Sequence, residues 1–381
     1  MNPDNITTDK RGQNHTNTST NSIFQELFVL EMANNHWGNL GKGLRIVSNF
    51  SRVVRFNNVR ATIKLQFRDV DSFIHKDFRG RCDVRYIKKI NDTKLSKNDL
   101  RTLVQSIRDQ GCLTSATPFD EASVDLCQEF NLDIIKLASS DINDWFLIER
   151  IAETRKPVSF STGGSSLKGV DELVKYFSNR SIPFAINHCV SLYPSIDSDL
   201  DLNQLDFLRN RYIGAVIGLS THECSSWDAS MLISYAKGAR TFERHIDIDD
   251  AGIPVSTYCS LPHQIDTWFK AFKKAKEMCG GSSAERRFVS TKESDYLDCL
   301  VRGVYARRDL PAGYLLENKN MDQDLYLAIP LQKGQVSVRE IMNGDRLIKP
   351  LLKDQALMID MIDSPYSNID SLKDQIYKRG L

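Results

Sequence analysis

At 381 residues with 41% hydrophobic side chains, the chain can bury one large core, or a core plus a small satellite domain. Fifty basic residues against 49 acidic ones leave a formal charge of +1, which excludes a strongly polyanion-binding or membrane-attracted surface and so argues against nucleic acid or a bilayer as partner. No run is apolar enough to span a membrane.

The first residues, MNPDNITTDKRGQNHTNTSTN, are polar and lack the apolar stretch of a secretory signal, so residues 1–24 are expected to form a flexible arm of a cytoplasmic protein. Eight cysteines, Cys82, Cys112, Cys127, Cys189, Cys224, Cys259, Cys279 and Cys299, are scattered without a CxxC pair. Reduced thiols are the simpler reading, and a structural zinc site is not expected.

From Phe28 onward, short β-branched or apolar runs recur: FVLE (28–31), ATIKLQ (61–66), CLTSAT (112–117), DIIKLAS (133–139), VSFST (158–162), FAINHC (184–189), AVIGLS (215–220) and TFERH (241–245). Between them lie segments such as KNDLRTLVQSIRDQ and GVDELVKYFSN, with apolar residues at three- and four-residue spacing, and the eighth run is followed by PHQIDTWFKAFKKAKEM. Asp120 and Ser226 are placed to cap two of these helices. Eight alternations of strand and helix predict a parallel sheet closed into a (β/α)8 barrel over residues 25–281. An open doubly wound sheet is the alternative, weakened because no run is followed by a GxGxxG turn. Beyond Gly280 and Gly281 the pattern breaks into a polar linker (282–298), a small β-rich domain with Gly and Asn turns (299–362), and a tail with a weak terminal helix (363–381).

In such barrels the strands' C-terminal ends build the active site. The run ends supply Glu31, Lys64, Gln66, Thr117, Lys136, Ser139, Ser161, Thr162, His188, Ser220, His222, Glu243 and His245. In TFERHID, strand alternation turns Glu243, His245 and Asp247 to one face and Phe242 and Ile246 to the other, and a buried polar trio needs partners or a ligand. Each residue also has a plainer reading. One hydrogen bond would satisfy His188, an ion pair would explain Lys64 and Lys136, a salt-bridge network would explain Glu31, and STGGS could be only a turn. His36 has no charged neighbour in sequence and is either structural or substrate-facing.

Taken together, EMANNHWGN, IKLQ, SATPFDEASVD, IIKLASSDIND, KPVSFSTGGSS, NHCVSLYP, IGLSTHE and FERHID resemble, in order, the sialic acid synthase family, and ARRDLPAGYLL resembles its C-terminal antifreeze-like (SAF) domain. The resemblance implies condensation of phosphoenolpyruvate with an aldose to a 3-deoxy-2-ulosonic acid, with release of phosphate. Lys64, Thr117, Lys136, Ser139, Ser161, Ser191 and Ser220 fall on its phosphoenolpyruvate positions, and Gln66, Tyr193, Asp247 and Ser256 on its sugar side. His222 and His245 fall on its metal positions, for Mn²⁺ or Mg²⁺; Glu31 falls on its proton-handling position, and Glu243 is placed to orient His245 or a water. The family pattern further implies a domain-swapped homodimer. Three departures stand out. Ser256 replaces an acidic sugar contact, Ile329 replaces an Arg that reads an N-acyl group, and Ala33 replaces a Gly, tolerable unless its φ is positive. The expected acceptor is therefore not N-acetylmannosamine. Two competing readings are a Schiff-base barrel aldolase using Lys136, and a degenerate paralogue that binds a sugar acid and regulates.

Overall fold

A computed structural model describes residues 20–250, 252–281 and 286–381. The chain divides after Gly280 into two compact units. Among the described residues no helix is long and apolar enough to cross a membrane.

In the first unit eight parallel strands close into a ring in sequence order: β1 Leu27–Ala33, β2 Arg60–Phe67, β3 Leu113–Pro118, β4 Ile134–Leu137, β5 Val158–Ser161, β6 Phe184–Cys189, β7 Val216–Thr221 and β8 Thr241–His245. This is the (β/α)8 barrel. Each strand feeds a helix on the outside, from Leu40–Asn57 after β1 to Pro262–Cys279 after β8. Strand alternation sorts the side chains: Phe28 and Phe242 point outward and meet Trp268, Phe269 and Phe272 of the last helix, with Phe28 ring centroids 4.7 to 5.5 Å from its four aromatic neighbours. Their neighbours in sequence, including Glu243, are left for the barrel interior.

Asp120 caps the helix Glu121–Glu129, accepting from Ser123 N–H at 2.7 Å. Ser226 does not take the corresponding place. The helix begins at Ala229, Asp228 is its cap, and Ser226 Oγ only supports it by accepting from Ala229 N–H at 3.0 Å.

The expected arm is shorter than residues 1–24. Its first nineteen residues lie outside the described ones, but Thr20–Phe24 form a 3-10 turn whose Phe24 is fully buried with Leu27, Val29, Ile134, Ala185 and Val216 at the N-terminal end of the strands. Asn21 holds the turn by accepting from Phe184 N–H, and Arg60 donates to the Ser22 and Ile23 carbonyls. The turn is thereby a floor for the barrel. Between β2 and the helix Lys97–Asp109, the chain adds two short helices, Val70–Phe73 and Arg85–Asp92, that alternation did not anticipate.

The second unit runs from Gly281 to Leu381. Residues 282–285 of the expected linker lie outside the described ones, and its last part is a helix, Thr291–Asp298, capped by Ser290. The polar composition suggested a linker because this helix buries no residue fully. Beyond it, β9 Gly303–Ala306 pairs with β11 Leu325–Ala328, while β10 Leu315–Leu316, β12 Asp345–Leu347 and β13 Ile362–Asp363 form a second small sheet. Val304, Leu316, Val336, Leu347, Leu357 and Ile362 make their common core. The tail belongs to this core: Ile376 of the helix Asp370–Tyr377 is buried in it, and Arg379 pairs with Glu340 at 2.5 Å.

Candidate active site

The parallel register decides which side chains meet. Glu31 of β1 stands opposite Lys64 of β2 on one side and opposite His245 of β8 on the other. Glu243 stands opposite Ser220, and Gln66 opposite Thr117. Ring closure thus brings residues more than two hundred positions apart into one layer.

Two buried lysines lie at its centre. Lys64 forms an ion pair with Glu31, lies 3.4 Å from Glu243 and donates to Thr117 Oγ1 at 3.0 Å. Lys136 donates to Ser161 Oγ at 2.6 Å and to Glu243 Oε2 at 3.2 Å. Ser220 Oγ donates to the other Glu243 oxygen at 3.3 Å. These charges set one another's protonation. Burial alone would raise the Glu243 carboxyl, but Lys136 and Lys64 outweigh it and hold it at about 2. Glu31 goes the other way: burial raises it, Lys64 restores only part of the loss, and the Glu243 charge pushes it further up. Burial lowers Lys136, while Lys64, lowered by burial but flanked by Glu243 and Glu31, ends above its ordinary value.

Beside Lys136 the turn after β5 makes a tight cradle. Gly163 N–H donates to Ser139 Oγ at 3.1 Å. A Cβ at Gly163 would lie 2.1 Å from Ser191 Oγ and 3.0 Å from Ser139 Oγ, so STGGS is more than a turn: position 163 has no room for a side chain.

Adjoining this layer are the imidazoles of His222 and His245, with ring centroids 5.4 Å apart. His222 Nδ1 engages the Val190 carbonyl at 3.0 Å, leaving its Nε2 free, and His245 Nδ1 is buried without any partner. Burial holds His222 at about 4, and burial with the neighbouring His222 and Lys64 holds His245 well below the ordinary imidazole value. Both rings are therefore neutral near pH 7, the form that ligates metal. Tyr193 packs on them at 3.9 and 5.9 Å, and Tyr258 approaches His245 edge-on at 5.2 Å. Among the described residues no third His, Cys, Asp or Glu joins the pair. Two neutral imidazoles and an orphaned nitrogen fit a divalent cation that completes its shell with water and substrate oxygens.

Glu31, Lys64, Thr117, Lys136, Ser161, Ser220, Glu243, His222 and His245 thus come together at the strands' C-terminal ends, with Ser139 and Ser191 beside them. Gln66 bridges Glu31, to which it donates at 3.0 Å, and Arg68. Ser256 lies beside the Tyr258 hydroxyl. Asp247 is buried, with its side chain 2% exposed and paired with Lys42 at 3.1 Å, and its Oδ1 accepts from Ile248 N–H. Alternation placed it with His245, and it lies two residues past the end of β8. His188 is satisfied by the Leu200 carbonyl at 2.7 Å. His36 is buried, with Nδ1 accepting from Gly38 N–H and burial beside Lys42 holding it at about 4. Ala33 does adopt a positive φ, +49°, where the ladder between β1 and β2 slips by one residue.

Four site neighbours escaped the sequence reading. Arg68 continues the two-residue phase of Lys64 and Gln66, a signal that could have found it. Asp141, in the 3-10 turn Ser139–Asp141, has a buried oxygen without a partner and a carboxyl raised by burial. Beside the imidazoles, Glu223, two residues past the end of β7, and Arg244 of β8 form a fully buried ion pair at 2.5 Å, with Ser260 accepting from Arg244 Nε.

A closed parallel barrel with paired lysines and carboxylates in its mouth and two free imidazoles beside them defines a class of enzyme-like site for an anion beside a cation. Comparison with known proteins gives the family. The NeuB family model matches residues 58–284, and the chain belongs to that family. The crystal structure of a protein assigned as spore coat polysaccharide biosynthesis protein E of Chromobacterium violaceum is 34% identical, with a TM-score of 0.84 over 89% of this chain and 100% of that one. The N-acetylneuraminate-9-phosphate synthase of Drosophila melanogaster is 28% identical over 54% of this chain and 61% of its own length. The pseudaminic acid synthase of Campylobacter jejuni is 21% identical over 78% of this chain and 86% of its own.

Proposed function

We propose that this chain condenses phosphoenolpyruvate with an aldose, forming a 3-deoxy-2-ulosonic acid of the nonulosonic type and releasing phosphate. One observation carries the reading: Lys64 and Lys136 share the Glu243 carboxylate within one buried layer whose neighbours are the neutral His222 and His245. Family membership, with its sialic and pseudaminic acid synthases, supports the same chemistry.

In this reading Lys64, Lys136, Thr117 and the hydroxyls of Ser139, Ser161, Ser191 and Ser220 hold the phosphoenolpyruvate anion, as ammonium groups and short donors do. The enol carbon attacks the aldehyde carbon, water adds at the resulting oxocarbenium carbon, and the tetrahedral carbon expels phosphate. Mn²⁺ or Mg²⁺ held by His222 and His245 supplies Lewis-acid polarisation of the aldehyde oxygen when bound. Glu31 and Glu243 divide the proton work, because two carboxyls pushed apart in acidity take different roles. Glu243 stays ionised and orders the lysines; Glu31, with raised proton affinity, opens the sugar ring and returns the proton to the new hydroxyl. Gln66, Tyr193 and Ser256 form the sugar side. The acceptor is not N-acetylmannosamine, since Ser256 stands where the family resemblance implies an acidic contact to that sugar. The working form is a homodimer in the cytoplasm, checked by light scattering of the purified protein.

The test is phosphate release and product mass from phosphoenolpyruvate, Mn²⁺ and a panel of aldoses. The lowered basicity of Lys136 favours one competitor, a Schiff-base aldolase. Trapping of substrate on Lys136 by borohydride, with activity indifferent to EDTA, would favour that competitor; phosphate release that EDTA abolishes would exclude it. Absence of phosphate release with every aldose would leave a sugar-acid-binding paralogue.

A further inference from the structure

The ladder between β7 and β8 stops short of the imidazoles. Its last pair is Thr221 with Arg244, so His222 and His245 each stand one residue past it, and the ladder does not set how far apart their rings lie. Arg244 is on the opposite face of β8 from Glu243, level with Leu30 of β1. In that outward phase Leu30, Ile63, Ile135, Phe160, Ile217 and Phe242 all pack into the apolar core. A guanidinium at such a position, 1% exposed, is out of place, and its partner Glu223 is buried to the same degree.

As a contribution to folding the pair is a poor choice. Two charges taken out of water repay little, and apolar side chains of similar volume would serve as well or better. What the pair adds is direction. Arg244 Nη1 donates to Glu223 Oε1 at 2.5 Å, Nη2 donates to the Glu223 carbonyl at 2.6 Å, and Nε donates to Ser260 Oγ at 3.1 Å. Glu223 directly follows His222. Ser260 N–H donates to the His245 carbonyl at 2.8 Å, and the Ser260 carbonyl accepts from Asp247 N–H at 3.2 Å. One planar group thus grips the backbone beside one imidazole and the segment that holds the backbone of the other. Its partners are fixed in turn. Glu223 accepts from Ser230 Oγ at 2.5 Å and from Thr221 Oγ1, and Ser260 Oγ accepts from Trp227 Nε1 at 2.9 Å. A rigid fork of donors can set a distance in a way that a flexible ammonium cannot.

We propose that Arg244 and Glu223 are positioning residues whose buried pair sets the spacing and tilt of the His222 and His245 rings, 5.4 Å and 46°, so that both reach one divalent cation. This rests on the metal-assisted condensation reading. It also gives the buried charges a purpose that burial alone does not: they act on the cation through the two imidazoles and touch no substrate.

Calorimetric titration of the full chain with Mn²⁺, without substrates, tests the assignment apart from turnover. The first variant is the double one, Arg244→Met with Glu223→Leu, which removes both charges and refills their space. Its melting temperature is expected to stay close to that of the parent chain. Its Mn²⁺ dissociation constant is expected to rise about tenfold or more, as when groups that orient metal-binding histidines are lost. The second variant, Arg244→Lys, keeps an opposite charge for Glu223 but not the fork; it too should melt near the parent and bind Mn²⁺ more weakly, and it decides the matter if the double variant fails to fold. In both, KM for phosphoenolpyruvate should stay unchanged, and phosphate release lost at low Mn²⁺ should return at high Mn²⁺. Folded variants that bind Mn²⁺ as tightly as the parent overturn the assignment. A parent chain that takes up neither Mn²⁺ nor Mg²⁺ overturns it together with the metal reading. A parent that binds Mn²⁺ but releases no phosphate with any aldose overturns the condensation reading alone, and the titration still decides the role of the pair.

Discussion

In the barrel mouth, Lys64 and Lys136 are enclosed by Glu31, Glu243, Thr117 and Ser161, so that each buried charge has an opposite charge and a hydroxyl in contact. Beside them, His222 and His245 are neutral, walled by two tyrosines, and one ring nitrogen has no partner at all. The difference separates two ways of preparing a site. The lysine cluster carries its compensation within the protein and contributes to the fold whether or not a ligand is present; the imidazole pair leaves its compensation to whatever binds there.

The sharpest way to break this contrast is Glu243→Gln. Lys136 would then have no carboxylate partner and Lys64 only Glu31, and unfolding free energy measured by urea titration is expected to fall by about 3 kcal/mol or more. Lys136→Met should act differently. Glu243 keeps Lys64 and Ser220, so stability should drop by less than in Glu243→Gln, while kcat/KM for phosphate release should fall about a hundredfold or more. At the imidazole pair the signs reverse: Mn²⁺ at ten times its Kd should add about 1.4 kcal/mol to stability, seen as a raised melting temperature, and His222→Ala should abolish the gain without destabilising the metal-free protein comparably. The smallest effect is expected at Ala33, whose φ of +49° strains the irregular end of β1. Ala33→Gly should stabilise by about 1 kcal/mol, and an unchanged melting temperature would show that the strand end already relaxes around the methyl group.

The eight strands were legible because each carries a short β-branched run set off by a helix with three- and four-residue spacing, and the polar mouth followed from where those runs stop. Glu31, Lys64, Lys136, Glu243 and both imidazoles could be read that way. What escaped lay where periodicity lapses. Asp247 was assigned by extending an alternation past the last ladder residue of β8, and its partner Lys42, on a helix two hundred positions earlier, leaves no trace in local sequence. Arg68 sits one step beyond β2 in the correct phase, but the segment after it, with short helices of little buried surface, obscured the pattern. Phe24 was hidden for a related reason: a single aromatic after a polar stretch does not announce that it will floor a barrel.

Ring closure has a consequence for how the chain is made. Lys64 meets Glu31 early, since β1 and β2 are neighbours in sequence as well as in space, but Lys136 waits for a carboxylate that arrives only with β8, 107 residues later. Until that strand emerges and seals the gap beside β1, a growing chain has six or seven strands, an open edge, and an ammonium group with no counter-charge. The last strand therefore completes the cylinder and the charge balance in a single step, which favours an all-or-none assembly over a stable half-barrel.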